Sequence, residues 1–195
     1  LTVELATRFL DDYILGSPYF KIKYPEHNLV RARTQIKLVA DMEKKLDEMD
    51  MVISQTVMAC EAMSRERVGA LIVFARTHRL DEYFKTGTVI DGTVSDQLIR
   101  NIFFPKAALH DGAMIIRNGR ICAASCFLPL TERAINQDLG TRHRAALGMS
   151  EVSDALVIVV SEESGTISVA YDGELKRNQN YQTLKLTLTE LFVRK

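Results

Sequence analysis

The chain has 195 residues with 25 basic and 25 acidic side chains, so its net charge is zero, and its 47% hydrophobic content is enough for one packed core. That length suits a single domain with an appendage. The charge balance argues against a general polyanion surface, so any nucleotide or nucleic-acid site has to be a local patch. No apolar run approaches the roughly 20 residues of a membrane span. The amino end, LTVELATRFLDDY, is acidic and helical in pattern, unlike a signal peptide. It starts with Leu rather than Met, and leading residues are expected before it. Cys60, Cys122 and Cys126 form neither a CxxC pair nor a zinc spacing. They read as small hydrophobes in a reducing, cytoplasmic setting.

In chain order, Val3–Leu15 predicts an amphipathic helix stopped by Gly16-Ser17-Pro18. Asn28 is placed as the cap of a much longer helix that runs to about Arg65. That helix carries a three-and-four-spaced seam at Val39, Met42, Leu46, Met49, Ile53, Thr56, Cys60 and Met63. Such a stripe suits a partner helix, within the chain or between chains. Val68–Arg76 then predicts a buried strand and Thr86–Asp91 a shorter one. A helix capped by Ser95 follows and is ended by Pro105.

The sharpest local pattern is AMIIR-NG-RICAASCFL. Two strand-like runs are separated by Asn118-Gly119, a pair that tolerates the positive φ of a type I′ hairpin turn. PLTERAINQD reads as a polar loop or short helix. Thr141 is expected to cap a two-turn helix starting at Arg142. Two further strands, Ala155–Val160 and Thr166–Tyr171, are joined by the acidic turn Ser161–Gly165, and a helix from Tyr181 to about Val193 closes the chain. The expected fold is α/β: a mixed central sheet of about six strands flanked by helices, preceded by an N-terminal helical hairpin. The expected organisation is a helical region over residues 1–65, for oligomerisation or regulation, and a catalytic domain over residues 66–195.

The chain has no GxxxxGK[ST] loop, no GxGxxG after a strand, no GxSxG elbow and no HExxH. Three clusters remain. His110-Asp111-Gly112 places a hard oxygen ligand beside a glycine at the entrance to a strand. Taken alone it is an ordinary turn pair, and Asp91-Gly92 and Asp172-Gly173, which follow strands, are internal controls. Thr141-Arg142-His143-Arg144 crowds cations at a helix N-terminus, where the helix dipole disfavours them unless an anion binds. Ser161-Glu162-Glu163 sets carboxylates at the end of a buried strand. A metal-binding carboxylate, an anion site and further carboxylates beside a sheet are what phosphoryl or nucleotidyl transfer requires.

DGA at Asp111–Ala113, followed by GTRHRAA at Gly140–Ala146, resembles the motif pair of diadenylate cyclases. GALIVF before them and VIVVSEESGTISVA after them are similar to that family's core, so the resemblance spans Val68 to Glu174. The helical amino end resembles the soluble, sporulation-associated type of bacilli more than the membrane-anchored or DNA-scanning types. The resemblance implies condensation of two ATP molecules into cyclic di-AMP, with release of two pyrophosphates, using Mg²⁺ or Mn²⁺. It implies a homo-oligomer, at least a dimer, in which two sites face each other, and neither nucleic acid nor membrane as partner. It gives Asp111 the ribose 3′-hydroxyl and a metal, with His110 and Glu163 as further ligands. Arg142, His143 and Arg144 form the phosphate side, and Gly112 and Ala113 complete the first motif. Gly140, Thr141, Ser161 and Glu162 lie along the nucleotide, and Phe127 and Leu128 pack against adenine. Relatives often carry Tyr at the Phe127 position, so a polar contact made by that hydroxyl is lost here. The alternative reading is a nucleotide-sensing module without turnover.

Overall fold

The computed structural model describes residues 2–16, 19–134 and 139–193. It contains two compact units, Leu1–Met49 and Asp50–Lys195. In the first, α1 (Thr2–Ile14) and the beginning of α2 (His27–Glu66) form a helical hairpin. The hairpin is tied by the buried Asp12 carboxylate, which accepts from Asn28 Nδ2 at 2.6 Å and from the backbone N–H groups of Tyr19 and Phe20. Asn28 therefore lies inside the first turn of α2, with its amide spent on Asp12, and does not cap the helix. Phe9 meets Phe20 at a tilt of 55° and lies under the Arg31 guanidinium. Ser17 and Pro18 of the expected helix stop lie outside the described residues.

The second unit contains the later part of α2, α3 (Asp81–Phe84), α4 (Asp96–Ile102), α5 (Thr141–Val152), α6 (Tyr181–Val193) and a seven-stranded sheet. The strands are β1 (Ala70–Phe74), β2 (Thr88–Thr93), β3 (Ala113–Arg117), β4 (Arg120–Cys126), β5 (Leu156–Val160), β6 (Ile167–Tyr171) and β7 (Glu174–Gln179), in the order β2-β4-β3-β1-β5-β6-β7. Only β1 and β3 run parallel; every other pair is antiparallel. The mixed sheet is as expected, with one strand more than the sequence suggested. ELKRNQ of β7 has no apolar alternation, and it is held as an edge strand by backbone pairing to β6 through the Asp172-Gly173 turn.

The Asn118-Gly119 turn forms as read, with φ of 51° and 75°. Asp91-Gly92 does not follow a strand. It lies inside β2, where the register shifts between Val89 and Gly92, Asp91 adopts φ 48°, and Arg120 grips its carboxylate at 2.7 Å. Ser95 caps α4 by accepting from Leu98 N at 3.2 Å. Residues Ile135–Asp138 of the expected polar loop lie outside the described residues.

One face of the sheet buries Leu71, Val73, Ala113, Ile115, Val157 and Val159 with Ala145, Ala146 and Met149 of α5. On the opposite face Phe74 meets Phe192 of α6 edge-on, with ring centres 5.3 Å apart. Lys185 of α6 donates to Ser54 and pairs with Asp50 on α2, and Gln55 accepts from Asp96 N at the start of α4. The long seam of α2 thus divides. Ile53, Thr56, Cys60 and Met63 are core, while Met42 and Leu46 stay 51% and 61% exposed. Deleting residues 1–49 is expected to leave a cooperatively melting protein. Deleting residues 1–65 removes Val52, Ile53, Val57, Ala59, Cys60 and Met63 from a core whose net stability is only about 5–15 kcal/mol, and is expected to abolish the melting transition. Thermal melts followed by circular dichroism distinguish the two.

Candidate active site

The strand directions bring four chain segments to one end of the sheet. β1 and β3 begin there, and β4 and β5 end there, because Ala70 pairs with Val160 and Ala113 with Cys126. Asp111-Gly112 enters β3, Phe127-Leu128 leaves β4, and Ser161–Glu163 leaves β5. The first turn of α5 arrives at the same place. Together they line a cleft of about 560 Å³, within the ~300–1,000 Å³ typical of small-molecule sites. His110, Asp111, Gly112, Phe127, Leu128, Gly140, Thr141, Arg142, His143, Ser161, Glu162 and Glu163 all contribute to its wall. Ala113 is fully buried in β3 behind it, and Arg144 is exposed outside the lining.

Gly112 explains the tight entrance. Its φ is +89°, and a Cβ there would lie 2.8 Å from the Cys126 carbonyl oxygen and 2.9 Å from Ser125 C. It presses against a bulge in β4 where Ser125 takes φ 58° and the β3–β4 register shifts. The bulge directs Phe127 outward, 66% exposed, with its N–H donated to Thr86 Oγ1 at 2.9 Å. Asp111 is exposed and keeps one oxygen on Gly112 N at 3.0 Å. His110 Nδ1 lies 2.6 Å from the Ala107 carbonyl oxygen. A carbonyl only accepts, so Nδ1 carries the proton and Nε2 presents its lone pair.

The opposite wall is cationic. α5 begins at Thr141, one residue earlier than expected, and runs for 12 residues rather than two turns. Its N-cap is Gly140, which has no side chain to accept from the first turn, so Thr141 is inside the helix and does not cap it. The free N–H groups of that turn favour an anion. Arg142 donates from Nη1 to Glu162 Oε2 at 2.7 Å, which ties α5 to the turn after β5. His143 is 5% exposed, and its Nε2 is buried without a hydrogen-bond partner among the described residues. Burial, and after it the Arg177 guanidinium, lower its pKa, against an upward pull from Glu163.

Burial pushes the Cys126 thiol up to about 11 and the Cys60 thiol to about 12, so both act as hydrophobes at neutral pH. Cys122 is only partly buried. Leu71, Cys126, Leu130, Ala145, Val159 and Val160 also line the cleft. They sit in hydrophobic runs whose pattern signals core and says nothing of which end reaches a ligand. For a cation, the cleft offers the Asp111 carboxylate, the His110 Nε2 lone pair and the Glu163 carboxylate. No three His, Cys, Asp or Glu side chains converge among the described residues. The described residues thus form no preassembled cation site, and a hard divalent ion at Asp111 would draw most of its shell from water and substrate oxygens.

The sequence model of the family described as DisA bacterial checkpoint controller nucleotide-binding matches residues 57–175, more than half of the chain, and the chain belongs to that family. It is 47% identical over 135 residues to the cyclic di-AMP synthase CdaA of Bacillus subtilis, covering 69% of this chain and 50% of that protein. It is 42% identical over 134 residues to the cyclic di-AMP synthase CdaS of the same species, covering 69% of this chain and 65% of that one. The chain thus spans between half and about two-thirds of the length of these curated relatives. The crystal structure of a double mutant of DacA from Staphylococcus aureus superposes with a TM-score of 0.71 at 42% identity, covering 79% of this chain and 99% of that one. The family placement read from DGA and GTRHRAA is met. Among the described residues no helix is long and apolar enough to cross a membrane.

Two outcomes follow from this geometry. Gly112→Ala is expected to lower stability by about 1–3 kcal/mol, because the side chain is strained at φ +89° and collides with β4 backbone; chemical denaturation measures it. For His143, the depressed folded-state pKa means that the unfolded chain binds the proton more readily. Stability is therefore fully present above 6.5 and is lost as pH falls through the lower folded value. His143→Gln should shrink the drop in Tm between pH 7 and pH 5, and an unchanged drop would contradict the buried neutral imidazole.

Proposed function

We propose that this chain is a diadenylate cyclase that condenses two ATP molecules into cyclic di-AMP and releases two pyrophosphates. The observation that carries this reading is a single cleft lined on one side by Asp111 and on the other by the amino end of α5 with Arg142 and His143. The family membership supports it.

Each protomer holds one ATP. Phe127 and Leu128 cover adenine with apolar surface, and Phe127 offers a stacking face without a hydroxyl. Gly140, Thr141, Ser161 and Glu162 line the nucleotide. Arg142, His143 and the free N–H groups of α5 receive the phosphates, with Arg144 on the exposed side of the same turn adding only its charge, which explains how the chain manages without a glycine-rich phosphate loop. Neutral His143 donates a hydrogen bond without adding a buried charge. Asp111 accepts the proton of the ribose 3′-hydroxyl as that oxygen attacks the α-phosphorus of the opposing nucleotide. The bond from that phosphorus to pyrophosphate breaks, and repetition in the second direction closes the ring. Asp111, with His110 and Glu163, would hold a divalent ion, Mn²⁺ or Mg²⁺, which lowers the hydroxyl's pKa and offsets charge on phosphate oxygens.

One protomer supplies one nucleotide and one Asp111, so turnover requires two facing copies, and positioning replaces an encounter between two polyanions. The amino-terminal helical region, expected over residues 1–65, sets this assembly through its part before Asp50, and the unit from Asp50 onward, which includes the expected domain over residues 66–195, carries the chemistry. The exposed Met42 and Leu46 on α2 support an assembly surface for another copy of the chain. A cytoplasmic setting and the sporulation-associated type, which the helical amino end resembles, belong to this reading. Asp111→Asn is expected to lower cyclic di-AMP formation by about 10²–10⁴-fold with Tm unchanged. Chromatography of the products from ATP with Mn²⁺ or Mg²⁺ reads this directly, and full activity in that variant would remove Asp111 from the reaction.

A further inference from the structure

Gly69 opens the GALIVF run just before β1 and lies outside DGA, GTRHRAA and the acidic turn in sequence. It is buried, and its φ is not positive, so its backbone conformation is open to any residue. The reason for glycine there is space. A Cβ on Gly69 would lie 2.6 Å from Arg142 Nη1, 2.8 Å from Glu162 Oε2 and 3.0 Å from Arg142 Cζ. Those are the atoms of the 2.7 Å ion pair between α5 and the turn after β5.

We propose that Gly69 is a positioning residue: the side chain it lacks is the space in which the Arg142–Glu162 pair lies, and the bare strand entrance sets where the Arg142 guanidinium stands in the cleft. Glycine at Gly112 and Gly148 serves a different purpose. A Cβ at either would strike backbone atoms of β4 or of the Pro129–Thr131 segment, so those positions are demanded by the fold. At Gly69 everything within 3.0 Å is the tip of a side chain, which can move. Alanine there leaves the fold and pushes the fork. Glu162 occupies one N–H of the guanidinium and fixes its orientation. The other N–H groups remain for an anion, and a bidentate contact with phosphate depends steeply on where the fork sits. Displacement of a positioned group by about 1 Å is enough to cost up to 10²-fold in rate.

This rests on Arg142 meeting the phosphates, and a double-mutant cycle read by binding separates it from turnover. The probe is 3′-deoxy-ATP with Mg²⁺, which lacks the attacking hydroxyl and so binds without reacting. Its Kd is measured for the full chain, Gly69→Ala, Arg142→Ala and the double variant, with Tm for each. Gly69→Ala should weaken binding about tenfold with Tm within a few degrees of the parent, and should add less than about twofold in the Arg142→Ala background. An equal loss in both backgrounds, a Gly69→Ala protein that binds like the parent or fails to fold, or a parent that does not bind the probe overturns the proposal. A parent that shows the coupling but makes no cyclic dinucleotide from ATP upholds the Gly69 assignment and refutes the cyclase reading alone.

Discussion

β1 lies between a parallel neighbour, β3, and an antiparallel one, β5, and the site depends on that choice of directions. Had β5 run parallel to β1, its acidic turn would sit at the far end of the sheet from Asp111. Had β3 been antiparallel, Asp111 and Phe127 would both move away from α5. The strands are fixed by burial rather than by the site: all five residues of β1 and all five of β5 are buried, so their register cannot slip without exposing core. Function is mounted on the ends of strands whose middles are held by packing.

At that end of the sheet, charge is handled locally. A chain with no net charge assembles a cationic wall from the first turn of α5 and balances one of its arginines with Glu162. The helix end stays open to an anion because Gly140 has no side chain to cap it. Burial lowers the His143 pKa, which limits the electrostatic cost of holding it near the Arg177 guanidinium. Ser64 and Gly165 meet closely, with Ser64 Oγ donating to the Gly165 carbonyl, so the last turn of α2 braces the acidic turn from behind. The second half of α2 belongs to the same core as the catalytic motifs.

Much of this was legible in the sequence because local chemistry and fold agree. Asn118-Gly119, Ser95 and the apolar runs of β1, β3 and β5 behave as their residue types dictate. Asp111, Arg142 and His143, which line one cleft, stood out in the sequence because each breaks a local rule: a turn pair outside a turn, and cations at a positive helix end. What was missed had no local signal. β7 is polar because it is an edge, and Asn28 looked like a cap because its buried partner Asp12 lies 16 residues away. Asp91-Gly92 has turn chemistry that β2 uses for a bulge. The α2 seam reads as one continuous stripe, yet its second half is core while Met42 and Leu46 in its first half are exposed, a division that depends on tertiary packing.

Nucleotidyl transfer between two bound ATP molecules, as opposed to binding of one of them, is the activity proposed for the cleft. The stoichiometry of products from ATP and Mn²⁺ tests it most directly, with pyrophosphate and cyclic di-AMP quantified in the same reaction. Two pyrophosphates are expected for each cyclic di-AMP, with specific activity that falls on dilution as facing protomers separate. ATP that is bound and recovered intact, with no pyrophosphate released at any protein concentration, would contradict it and leave a nucleotide-sensing module in its place.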